Sequence, residues 1–193
     1  MKKQNNLFVS FLLLSFIISI NTFGGDDNRK LDIDSVTTIE QFPNHYKSGD
    51  YYFGGQPSYE ALQWLKKEGV KVVINLRSEK EMQQYAKQAY NEENIVKSMN
   101  MSYFLLPVDG DKDYNVEKLR QFSDLLNENP GKVYIHCGSC WRVTYYFMAY
   151  LIEYENYDIN EAITFGKKLK YTNQLEGLLG KDIEYNTLYP PSE

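Results

Sequence analysis

The chain has 193 residues, 42% hydrophobic and 24% charged, with 17 Tyr, 10 Phe and 2 Trp. That is about one globular domain, with too many large apolar side chains for a disordered chain. Two cysteines and two histidines are too few for a disulfide scaffold or a four-ligand Cys/His zinc site. A formal net charge of −5 leaves no electrostatic footprint for nucleic acid, which is excluded as a partner.

Lys2 and Lys3 precede an uncharged 14-residue stretch at 7–20 (LFVSFLLLSFIISI). A secretory apolar core takes about 7 to 15 residues and a spanning helix about 20, so 1–24 reads as a signal peptide. The chain is then exported, to the periplasm or beyond, and touches a membrane only if this segment stays uncleaved. Residues 25–48 are polar and weakly patterned, a leader lying on the domain surface, with His45 a surface histidine. The domain runs over 49–181 and a tail over 182–193.

Inside the domain strand and helix signals alternate. Residues 51–53 (YYF) form a short strand ended by the turn Gly54-Gly55-Gln56-Pro57. Ser58 caps a helix with Ala61, Leu62 and Leu65 on one face, stopped by Gly69. Residues 70–76 (VKVVINL) are nearly all apolar and β-branched, as in a buried parallel strand. Arg77 follows, and Ser78-Glu79-Lys80-Glu81 is a capping box that opens the next helix. Residues 101–107 (MSYFLLP) are a third strand. Residues 115–129 are an amphipathic helix with Leu119, Phe122, Leu125 and Leu126 on its stripe, broken by Pro130-Gly131. Residues 132–136 (KVYIH) are a fourth strand, and 142–154 a helix apolar nearly all round, hence buried, with Tyr145, Tyr146, Phe147 and Tyr150 in the core. Shorter helices at 159–170 and 172–180 complete an α/β fold, a central mostly parallel sheet flanked by helices.

The chemistry belongs where the fourth strand hands over to the buried helix, at His136-Cys137-Gly138-Ser139-Cys140-Trp141-Arg142. Amides at a helix N-terminus have no intrahelical acceptor and form an anion cradle, which also favours the ionised form of a thiol placed there. Arg142 offers a planar fork that binds two oxygens of a tetrahedral oxyanion at once. The chain has only four arginines among its 21 basic residues, so one at this point is selective. Gly138 and Ser139 let the backbone close round a ligand, Ser139 can add a hydroxyl, and Trp141 can wall the pocket. His136 orients the loop by hydrogen bonding.

His136-Cys137, a short loop and Arg142 resemble the phosphate-binding loop of cysteine-dependent tyrosine and dual-specificity phosphatases. The likeness continues through Gly54-Gly55-Gln56-Pro57-Ser58, residues 62–69, Val73-Ile74-Asn75-Leu76-Arg77 and Leu106-Pro107-Val108, and is similar to the bacterial DUF442 branch over about 41–179. It implies the cysteine-phosphatase fold and hydrolysis of a phosphate monoester through a phosphocysteine. In it Cys137 is the nucleophile, and Arg142 with the amides of Gly138, Ser139, Cys140 and Trp141 holds the phosphoryl oxygens. An aspartate of the loop Val108-Asp109-Gly110-Asp111-Lys112-Asp113 is the general acid, Asp109 first and Asp111 next, unless the run is simply a solvated acidic turn. Arg77, at a strand's carboxyl end, either binds substrate or pairs with Glu81. The partner implied is a phosphorylated small molecule or phosphoprotein, with no cofactor and no metal.

Two features depart from the phosphatase pattern. Four residues separate Cys137 from Arg142 where phosphatases generally have five, a spacing like that of rhodanese-type sulfurtransferases, whose cysteine carries a persulfide. Cys140 stands where the family usually has a glycine with positive φ, a conformation that Cys adopts at a cost. Cys140 also makes Cys-Gly-Ser-Cys, so Cys137 and Cys140 can close a disulfide in an oxidising compartment, or Cys140 can pack as a free thiol. A non-catalytic phospho-ligand module with this redox-active pair is a third reading.

Overall fold

The computed structural model describes residues 29–87, 90–170 and 175–183. The expected signal peptide, and the tail from 184 onward, lie outside the described residues. Six strands form one mixed sheet in the order β1-β2-β3-β6-β4-β5: β1 Thr37–Thr38, β2 His45–Ser48, β3 Tyr51–Gly54, β4 Val72–Asn75, β5 Ser102–Leu105 and β6 Val133–His136. β3, β6, β4 and β5 run parallel, in a register that aligns Gly54, His136, Asn75 and Leu105 along one edge. All four parallel strands therefore deliver their carboxyl ends to the same rim.

The sheet is covered on both faces because its strands alternate apolar side chains above and below. On one face Phe53, Ile74, Val133 and Ile135 meet α4 Val116–Glu128, α5 Trp141–Tyr154, α6 Ile159–Lys167 and α7 Glu176–Leu179. On the other, Tyr52, Val73 and Tyr134 meet α1 Tyr59–Lys67 and α3 Glu92–Ser98, through Leu62, Leu65 and Val96. α5 is apolar nearly all round because α4, α6 and the sheet surround it, and its residues 143–151 are all buried, the four aromatics included. α2 Glu79–Ala86 opens with the capping box predicted at Ser78 and Glu81.

Three expectations change. The segment read as a surface leader supplies two antiparallel strands to the sheet, with β2 hydrogen-bonded along β3. His45 is accordingly buried, 4% exposed, with its ring stacked on Tyr134 and its Nε2 2.9 Å from the Tyr134 hydroxyl. Burial pushes the His45 pKa below its ordinary value. Helix α3 was not signalled, although Asn91 caps it and Glu92 and Glu93 fill its first turn. Helix α6 ends at Lys167, short of the expected 170, and α7 covers Glu176–Leu179 among the described residues, which leave out 171–174.

Candidate active site

β6 ends at His136 on the rim, and the next residue, Cys137, is 2% exposed with its amide bonded to Gly54 O at 3.2 Å. The turn after β3 clamps the loop from the side, with the Gln56 amide donating to Gly138 O at 3.2 Å and a bridge between Gly55 and Ser139. A β-carbon on Gly55 would approach Gly138 O to 3.0 Å, so glycine there permits the contact. Gly138 and Ser139 face solvent between two buried cysteines. Cys140, fully buried, has φ +72°, the left-handed conformation that the glycine of the pattern would have supplied.

α5 starts immediately after Cys140 and has no side-chain cap, whereas Ser58, Ser78, Asn91, Asn115 and Asp158 cap α1, α2, α3, α4 and α6. The first-turn amides of a 14-residue helix, with its dipole, thus open onto the loop. Arg142 lies in that turn. Glu81 grips its guanidinium with both oxygens, Nη1 to Oε2 at 2.7 Å and Nη2 to Oε1 at 2.8 Å, and Nη1 also donates to Leu76 O at 3.0 Å. Among the described residues none is an acceptor for Nε, so the Nε–Nη2 edge is the one left for a bidentate oxyanion.

Glu81 connects several parts of the site. Its Oε2 accepts from the Ser78 amide at 2.9 Å, and its Oε1 lies 3.3 Å from Arg77 Nη2; a β-carbon on Gly138 would meet that Oε1 at 3.7 Å. Burial works against its ionisation, but the bonds from Arg142 and the Ser78 amide and the two guanidinium charges hold its pKa at about 2. Arg77 is 7% exposed, stacked 4.2 Å over the Tyr85 ring, and gives Nη1 to Gln56 Oε1 at 2.8 Å, so it stands behind Glu81.

The aspartate loop reaches the site through Val108, whose carbonyl is 3.4 Å from Arg142 Nη1. Asp109 is exposed and bound to Lys112 at 2.8 Å, which keeps its carboxyl below the usual range. Asp111 is exposed in the short 3-10 turn Asp111–Asp113, and Asp113 accepts from the Asp109 amide at 2.7 Å. Trp141 is 46% exposed on the rim. His136 is buried and takes Glu92 as partner at 2.6 Å, and its Nδ1 is 3.4 Å from Cys137 O. Sequence reasoning missed Glu81's grip on Arg142 and Glu92 altogether. Both cysteines are free thiols, so the disulfide weighed from the sequence is not formed. Burial pushes the Cys140 thiol well above its ordinary pKa, which disfavours it as an attacking thiolate.

The family described as "DSP-PTPase phosphatase fused to NAD+ Kinase" matches residues 31–169. The chain belongs to this family. The DSP-PTPase match takes in β1 and β2 as well as the whole loop from His136 to Arg142. A search of the curated proteins gave no match. Among solved structures, the chain is similar to the core catalytic domain of the PP-IP phosphatase SIW14 from S. cerevisiae, at 16% identity and a TM-score of 0.53 over 66% of this chain and 76% of that one. It is similar to Tk-PTP in its active form, at 17% identity and 0.53 over 73% and 99%. A DUF442 protein of Shewanella putrefaciens CN-32 aligns at 22% identity and 0.50 over 66% and 82%. At these identities the neighbours establish the fold, an α/β fold of the tyrosine and dual-specificity phosphatase kind.

Proposed function

We propose that this DSP-PTPase domain is a cysteine-dependent phosphatase that hydrolyses phosphate monoesters, phosphotyrosine among them, through a phosphocysteine on Cys137. The observation that carries this reading is the pairing of Cys137 with an uncapped α5, whose Arg142 is fixed on one edge by Glu81 and open on the other. Cys137 Sγ attacks phosphorus and the ester P–O bond breaks. The first-turn amides and the Nε–Nη2 edge of Arg142 hold the equatorial oxygens, and Asp109 gives its proton to the leaving oxygen. Asp109 then takes a proton from a water that attacks phosphorus, the S–P bond breaks, and phosphate leaves. For this Asp109 exchanges its contact with Lys112, which holds it ionised, for the substrate, and takes up a proton from solvent before the transfer. An exported domain would meet phosphorylated small molecules or phosphoproteins outside the cytoplasm.

The reduced protein is expected to release phosphate from para-nitrophenyl phosphate, Cys137→Ser to lose at least about a thousandfold in kcat, and Arg142→Lys about a hundredfold. Absence of turnover with any aryl phosphate defeats the proposal. The four-residue loop, closed by a left-handed Cys140, favours one second reading, sulfur transfer through a Cys137 persulfide. Cys137-dependent thiocyanate formation from thiosulfate and cyanide, without phosphate release, would select it.

A further inference from the structure

A line of polar side chains runs beneath the loop and ends on Arg142. Its origin is Glu92, in the first turn of α3, 1% exposed, with Oε1 2.6 Å from Nε2 of the fully buried His136. The other Glu92 oxygen accepts from Gln56 Nε2. Gln56 Oε1 accepts from Arg77 Nη1 at 2.8 Å, and Arg77 Nη2 lies 3.3 Å from Glu81 Oε1, the oxygen that also accepts from Arg142 Nη2 at 2.8 Å. Arg77 is itself set by its amide, which donates to Asn75 Oδ1 at 2.8 Å. A fully buried carboxylate is costly unless paired, and this one is paired twice, once toward Cys137 and once toward Arg142. His136 precedes Cys137 directly, so Glu92 touches both functional groups through a single intermediate on one side and three on the other.

We propose that Glu92 is a positioning residue of the phosphatase site. It fixes the His136 ring and the peptide leading into Cys137, and through Gln56, Arg77 and Glu81 it fixes the Arg142 fork relative to the Cys137 sulfur. This rests on the phosphatase reading and adds to it. Catalysis needs sulfur and guanidinium registered on one phosphoryl group, and a misplacement of about 1 Å in such a pair costs on the order of a hundredfold. The sulfur belongs to the residue just after β6 and the guanidinium to the first turn of α5. One buried carboxylate bonded toward each is a physical means of holding them in register.

The test is Glu92→Gln in the full chain, an isosteric change that removes the charge and can keep hydrogen bonds. Expected are a fall in kcat on para-nitrophenyl phosphate of about tenfold or more and a comparable rise in the inhibition constant of vanadate, in protein whose circular dichroism and melting show it folded at the assay temperature. Gln56→Ala, at a half-buried loop position, cuts the arm that leads to Arg142 and leaves the Glu92–His136 bond, so adding Glu92→Gln to it should cost less than Glu92→Gln costs in the wild type. If Glu92→Gln does not fold, Gln56→Ala carries the kinetic test by itself. Folded Glu92→Gln, or in its place folded Gln56→Ala, with kcat and vanadate inhibition within twofold of wild type overturns the proposal. So does a loss of activity no larger than the loss of folded fraction. A readout independent of turnover is the NMR signal of the Arg142 Nε–H, expected to shift or broaden in either variant. An unchanged signal overturns the proposal even if the wild type proves inactive, an outcome that would count against the phosphatase reading alone.

Discussion

Cys140 combines a buried side chain with φ +72°. Left-handed backbone costs an L-residue roughly 1 to 2 kcal/mol, and glycine escapes the cost. Burying the sulfur offsets part of that strain, so the two terms can be separated by substitution. Cys140→Ala should keep the strain and lose the packing, and melt lower than wild type. Cys140→Gly loses the packing and also the strain. In ordinary backbone a glycine is about 0.5 to 1 kcal/mol less stable than alanine, so the usual order should vanish or reverse here. Thermal melts of the two variants decide it; a glycine variant that melts well below the alanine variant would show that no strain is stored at this residue. The sequence announced this conformation because a cysteine stood where a related pattern has glycine. It could not announce Glu92, an acid within a polar run whose buried partner, His136, lies 44 residues away.

At the scale of elements, α2 and α5 meet through one residue. The capping box of α2 was legible as a local pattern, Ser78 with Glu81 three positions on. Its second use was not, since the grip of Glu81 on Arg142 spans 61 residues and depends on how the sheet orders its strands. Glu81 titrates at about 2 in the fold against an ordinary value of 4.5. A carboxyl with a depressed pKa contributes stability that is present above its unfolded value and lost as pH falls through the folded one. Glu81→Gln should therefore melt below wild type at neutral pH, with the gap narrowing as pH falls from 4.5 toward 2. Melting curves across that range check it, and a gap that stays constant with pH would show that the carboxylate charge does not bind α2 to α5. The strands at 70–76 and 132–136 and the helices at 115–129 and 142–154 were legible because their periodicity or apolar run is continuous. α3 is only seven residues and has one fully buried apolar side chain, Val96, too little for a pattern.

Over the whole molecule, the sheet puts the ends of β3, β6 and β4 side by side, so that three separate turns converge on Cys137. The parallel part of this arrangement followed from alternating strand and helix signals. The antiparallel addition of β1 and β2 did not, because His45, Tyr46 and Ser48 look polar or mixed in sequence and are buried only by distant partners such as Tyr134, once β2 lies beside β3. The proposed nucleophile at that convergence has a direct consequence: during turnover the phosphoryl group is expected on the Cys137 sulfur and on no other atom of the chain. The measurement is acid quench of the reduced protein during hydrolysis of an aryl phosphate, followed by mass analysis of the peptide carrying Cys137 and Cys140. One added phosphoryl group on Cys137, absent in Cys137→Ser, is the expected result. Turnover with phosphate trapped elsewhere, or an added sulfur atom in place of a phosphoryl group, would contradict it.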